Sequence, residues 1–222
     1  MTDRLFSDGA LVRMGWVKAK EHIGTYIAAL FVSGLAVFVP ASILMVIGGG
    51  IGQIEFFLFL AFISYLVMGA VMGAGSMRLF LNAIDGKEVS VGILFSEWKR
   101  AFPYALVCIL YAFVVMVGLC LFIIPGVIWS LKYLFAPMLV LDGGMKPMDA
   151  MRASALMTDG LKWDLLGFQQ VIGTVVIIGY LVFFVGVVVS IPVAMIAVMG
   201  LYRHLSPMKN SPPQSVSPAS MV

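Results

Sequence analysis

Residues 102–141 read FPYALVCILYAFVVMVGLCLFIIPGVIWSLKYLFAPMLVL, forty residues with a single charge, Lys132. As one straight helix they would measure about 60 Å, twice the roughly 30 Å hydrocarbon core of a bilayer. The stretch must therefore fold back on itself. Pro125-Gly126 is the natural break, because proline removes a helix hydrogen bond and glycine accepts a turn. One span is then expected at 102–124. A second, at 127–141, offers about 22 Å of helix, so it either draws on Pro125-Gly126 or crosses where the bilayer thins.

The same arithmetic organises the rest of the chain. Residues 23–47 carry no formal charge, and the glycine-rich 48–53 reads as a tight turn into a second run, 54–77, with Glu55 at its start. Residues 165–203 would measure about 58 Å as one helix. They are expected to break near Gly186, with Pro192 as the other candidate, into spans at 165–185 and 187–203. The fold class predicted is all-α: an integral membrane bundle of six helices in three hairpins, occupying 1–205. Residues 206–222 hold four prolines and five serines and read as a disordered cytoplasmic tail.

Composition excludes the main alternatives. Of 222 residues, 62% are apolar and 11% charged, with a mean hydropathy of +1.07, whereas soluble domains carry roughly 45–50% and about 25%. A water-soluble enzyme and a disordered chain are both ruled out. The charges also orient the spans. Arg4, Arg13, Lys18, Lys20, Arg78, Lys87, Lys99, Arg100, Lys146, Arg152, Lys162, Arg203 and Lys209 all fall on one side of the six-span scheme. The positive-inside rule makes that side cytoplasmic, with both termini inside. Trp16, Trp98 and Trp163 stand just before three membrane entries, each near a lysine (Lys18, Lys99, Lys162), as interface anchors do. The first apolar run is too long, and too far from the start, for a cleavable signal peptide.

Lys132 is the fourteenth basic residue and the only one inside a span. A charge near the bilayer centre costs about 2.5–3.5 kcal/mol. It either faces a cavity and holds an anionic headgroup or substrate, or it snorkels to an interface or pairs with Glu55 or a backbone carbonyl. Residues 147–160 read as an amphipathic cytoplasmic helix. Pro147 lies in its first turn, Met148, Met151 and Ala155 on one face, Asp149 and Arg152 as an i,i+3 pair, and Gly160 at its end. Residues 89–100 share that character less clearly. Gly69 and Gly73 form a small-x-x-x-small pattern suited to close helix approach.

Enzyme signatures are missing from the sequence. There is no H-E-x-x-H, G-x-S-x-G or phosphate-cradling loop. His22 and His204 have no acidic or metal-ligand neighbours, and Cys108 and Cys120 make no zinc set. No catalytic residue, cofactor or metal is expected, and no basic, aromatic-interleaved face suits nucleic acid.

One stretch carries a family resemblance. Pro125-Gly126 leads into a helix holding Lys132 and Ala136-Pro137. Asp142 follows, and then Ala150, Arg152, Ser154, Thr158, Gly160 and Trp163. This resembles the core of a group of bacterial integral membrane proteins of unknown function, similar to the membrane domain attached to some glycerophosphoryl diester phosphodiesterases. The match covers 124–163, and the closing Tyr202-Arg203 agrees in layout. The resemblance implies a six-helix inner-membrane protein. It implies no phosphodiesterase activity, because the catalytic domain of those enzymes is a separate barrel for which this chain has no room. The expected function is therefore a non-enzymatic membrane protein with an envelope- or lipid-related accessory role. Its expected partners are membrane lipids, a membrane protein or a second copy of itself. The alternative is a small transporter or exporter built on Lys132 and broken helices.

Overall fold

A computed structural model of the protein describes residues 7–181 and 185–210. Among these the chain forms helices and connecting turns, with no strand. In a low-dielectric solvent every backbone polar group must find an internal partner, and a helix does this within one segment. Six stretches are long and apolar enough to cross a bilayer: Ile23–Gly50, Ile54–Ile84, Val91–Leu121, Ile123–Gly143, Lys162–Leu181 and Gly186–Ser206. The number agrees with the sequence reading; several boundaries do not.

Helix α1, Asp8–Glu21, lies along the last helix of the chain. A Cβ on Gly15 would stand 2.6 Å from the Val193 carbonyl oxygen, so the two backbones nearly touch. Helices α2, Ile23–Gly50, and α3, Ile54–Ile84, form the first hairpin. The glycine run expected to make the turn is still helical. The turn is Ile51–Gln53, and Gly52, at φ 70°, takes the left-handed conformation. Gly48 instead faces Phe57 across the hairpin. Of the small-residue pair on α3, only Gly73 packs closely, against the Tyr104 ring, while Gly69 faces open space.

Two 3₁₀ turns, Val91–Phe95 and Trp98–Arg100, lead into α4, Ala101–Leu121. The forty-residue stretch then breaks at Phe122, whose backbone is extended (φ −163°, ψ 152°), and not at Pro125-Gly126. The reason is steric. In a continuous helix the Pro125 ring would strike the carbonyl four residues earlier, at Leu121. Breaking at Phe122 frees that carbonyl and places Pro125 in the first turn of α5, Ile123–Lys132, where no N–H partner is lost. Gly126 serves contact: a Cβ there would be 2.8 Å from the Leu119 nitrogen, and one on Gly118 would be 2.8 Å from the Gly126 Cα.

The expected short span 127–141 is two helices. Helix α5 stops at Lys132, and α6 runs Ala136–Gly143 with Pro137 in its first turn. Gly144, in the left-handed region, turns the chain into α7, Pro147–Met157, which folds back along α6. Helices α8, Lys162–Leu181, and α9, Val185–Asn210, complete the bundle. Gly186 is thus inside α9, packed on Gly179, and residues 182–184, between the two helices, lie outside the described residues. Helix α9 also continues past 203. Of the tail expected to be disordered, 206–210 are helical and 211–222 lie outside the described residues.

The core is concentrated at one end. Leu79 and Leu81 of α3, Met138–Leu141 of α6, Phe168 of α8 and Ile196–Leu201 of α9 supply most of its bulk. By contrast, none of the most apolar eighteen residues of α2 is buried. Phe31, Phe38, Val46 and Phe59 are all well exposed. Lipid tails are as apolar as leucine, so helices facing them have no hydrophobic reason to close up.

Candidate functional site

The break between α5 and α6 is the first place where polar groups need partners. Ending a helix at Lys132 leaves its carbonyl without a partner four residues on, and starting another at Ala136 leaves free N–H groups. Helix α7 supplies both from one side. The Ser154 hydroxyl donates to the Lys132 carbonyl at 3.0 Å and accepts the Phe135 N–H at 3.2 Å. Thr158 Oγ1 lies 3.2 Å from the same carbonyl and 3.0 Å from the Ser154 carbonyl. Ser154 and Thr158 are both buried. Gly160, at φ 82°, then turns the chain into α8.

Lys132 and the motif residues Ser154 and Thr158 therefore meet around one backbone break. The Lys132 ammonium sits 5.8 Å from the Tyr133 ring centre. It forms no ion pair among the described residues, and Glu55, exposed in the first turn of α3, is not its partner. Arg152 is exposed on α7 and makes no pair with Asp149. Asp142, at the other end of α6, belongs to a different constellation.

That constellation joins α3, the segment 97–100, α6 and α9. Arg203 of α9 grips Asp85, at the end of α3, with Nε at 2.8 Å and Nη2 at 2.7 Å, a two-pronged geometry that suits guanidinium and carboxylate. The same side chain holds Asp142 of α6, with Nη1 at 2.5 Å and Nη2 at 3.1 Å. Tyr202 donates its hydroxyl to Asp142 at 3.2 Å. Arg78 pairs with Glu97 at 2.7 Å and approaches Asp142 at 3.8 Å. Arg78 and Arg100 both donate to the Leu141 carbonyl, near the C-terminal, electronegative end of α6. Lys87 adds a contact to Asp85 at 3.3 Å. Four cations face three carboxylates, and each carboxylate has a guanidinium partner.

Sequence reasoning used Arg78 and Arg100 only to orient the chain, and Arg203 for orientation and layout, and missed this network. The one signal was the resemblance, which noted Asp142 and Tyr202-Arg203 without joining them.

Two cavities open between helices and are lined almost wholly by apolar side chains. One, of about 460 Å³, lies among Trp16, Gly179, Gly186, Ser190 and neighbours. The other, of about 380 Å³, lies between α5 and α8. A third, of about 270 Å³, adjoins Asp142 and Tyr202. Among the described residues no group of three or more His, Cys, Asp or Glu side chains is placed to hold a metal ion.

No family model matches the chain, and no solved structure matches it. An uncharacterized protein of Mycobacterium tuberculosis is 30% identical over 151 residues, which is 67% of this chain and 46% of that protein. An uncharacterized protein of Mycobacterium bovis is 30% identical over 150 residues, with the same coverage. The chain thus spans just under half the length of these relatives.

Proposed function

We propose that this protein is a non-enzymatic, multi-pass protein of a bacterial cytoplasmic membrane, with both termini inside, that supports the envelope through lipid contacts. The observation that carries this reading is the character of its cavities. The spaces of about 460 and 380 Å³ lie between apolar helices and are lined by side chains that suit acyl chains. Lys162 is the one charged residue in their lining, while the carboxylates of Asp85 and Asp142 are held by Arg203 in a separate network. The resemblance of 124–163 to membrane proteins similar to the membrane domain attached to some glycerophosphoryl diester phosphodiesterases is compatible with a lipid-related role. Purification in a mild detergent followed by mass spectrometry of the retained lipids tests it. A lipid class enriched over the bulk membrane is the expected result. Bulk composition would overturn the reading.

A second reading, a small transporter, rests on Lys132, a cation beside a broken helix with no ion pair among the described residues. Lys132→Met decides it. Unchanged phenotype at normal expression removes a lysine-centred transport mechanism, whereas loss of function with normal insertion supports one.

A further inference from the structure

The groove between α5 and α8 has a polarity that its volume alone does not reveal. On α5 it is walled by Ile123, Ile124, Val127, Ile128 and Leu131, which share one helical face at spacings of three and four residues. On α8 the wall is Lys162, Trp163 and Leu166. Seven of these eight side chains are apolar or aromatic, and the single charge stands at one end. Which end is set by α7. Thr158, only four residues before Lys162, touches the Lys132 carbonyl, so the cation lies at the break end of α5. Ile123 and Ile124, both more than 70% exposed, lie at the other.

Lys162 is exposed and forms no ion pair among the described residues. Asp164, in the same turn of α8, is about 200° round the helix from it and so looks away. Asp159, in the preceding turn, is exposed and forms no ion pair among the described residues either. Trp163 is 83% exposed, so no part of the described chain covers the groove mouth. A tryptophan beside a lysine marks the boundary between headgroups and acyl chains. Below that boundary the wall is apolar; at it stands a cation without a counter-charge.

We infer that this groove is a binding site for one anionic phospholipid, with an acyl chain laid along α5 and the phosphate at Lys162. Charge selects this occupant. A partner helix in the same groove would have to bring a carboxylate to Lys162 at the membrane boundary, whereas an anionic lipid joins phosphate and hydrocarbon at that depth by its own covalent structure. Each lysine near an anionic lipid surface adds about 1 kcal/mol of attraction, which corresponds to roughly a five-fold preference over a zwitterionic lipid of the same chain length. This inference rests on the lipid reading above and gives it a place and a headgroup class.

The test uses the full chain in mild detergent, equilibrated with equal amounts of phosphatidylglycerol and phosphatidylcholine, with retained lipid counted by native mass spectrometry. The wild type is expected to retain several-fold more phosphatidylglycerol. Lys162→Gln should abolish that excess and leave phosphatidylcholine unchanged, while Lys162→Arg should keep it. Val127→Trp, at a wall position that is 36% exposed, fills the groove and should reduce both lipids. If the Gln and Trp variants elute as the wild type does and still retain its phosphatidylglycerol excess, the site is wrong although the lipid reading stands. If the wild type itself shows no selectivity for any membrane lipid, that reading falls as well.

Discussion

The Ser154 hydroxyl lies 3.0 Å from the Lys132 carbonyl oxygen and donates to it while accepting the Phe135 N–H. One side chain thus satisfies the end of one helix and the start of the next. Backbone groups exposed by the break among buried side chains thereby keep a partner.

Removing this hydroxyl should be costly. Ser154→Ala leaves a buried N–H unpaired and is expected to destabilise the protein by about 1–3 kcal/mol. Thr158→Val should cost less, about 1 kcal/mol, because Ser154 still serves the Lys132 carbonyl. The double variant removes the last side-chain partner of that carbonyl. Its loss should exceed the sum of the single effects in unfolding measured in detergent, and simple additivity would refute a shared role.

Arg203 holds two acids on two helices, a task that needs the planar fork of a guanidinium. Arg203→Lys keeps the charge but can serve only one partner well. Hydrogen exchange is expected to rise either around Asp85 or around Asp142. Because Asp142 also meets Tyr202 and Arg78, Asp85→Asn should be the milder of the two acid substitutions. For these partly buried groups the difference is roughly 1 kcal/mol. Equal losses would show that Tyr202 and Arg78 contribute no more to Asp142 than Lys87 does to Asp85.

Two glycines separate contact from freedom. Gly126→Ala places a methyl against the backbone of Leu119 and is expected to cost about 1–3 kcal/mol or to open the α4–α5 hairpin. Gly69→Ala points into open space and should be neutral or stabilising by up to about 1 kcal/mol. Thermal unfolding of the pair checks the order; a reversed ranking would mean that the close approach at Gly118 and Gly126 is relaxed.

Orientation is checked by reporter fusions. A reporter placed after Gly144 should be active inside the cell, and one inserted at Gly52 should be active outside. A fusion at Gly144 found outside would overturn the six-span arrangement, because it would make α4, α5 and α6 a single crossing.

The helical class and the number of apolar stretches were legible because they depend on length and hydrophobicity alone. Breaks were legible only roughly. Pro125 announced an interruption, but its clash acts four residues upstream, so the chain bends at Phe122. Gly126, Gly186 and Gly48 looked like turn residues and instead allow helices to touch. A glycine's sequence does not say whether its missing Cβ is used for backbone freedom or for contact. Ser154 and Thr158 were noted through a resemblance, but their partners lie about twenty residues away in the chain, and no local pattern links them.

Sequence by itself determined that this chain is apolar, helical and divided into six stretches able to cross a bilayer, since both solvent preference and helix length are additive along the chain. Tertiary structure decided the rest. It placed Arg78, Arg100 and Arg203, which the sequence showed without partners, around Asp85, Glu97, Asp142 and the end of α6, and it turned the apparent short span into two helices joined through α7. The physical reason is that a buried polar group must find its partner wherever the fold brings one, and that partner need not be near in sequence.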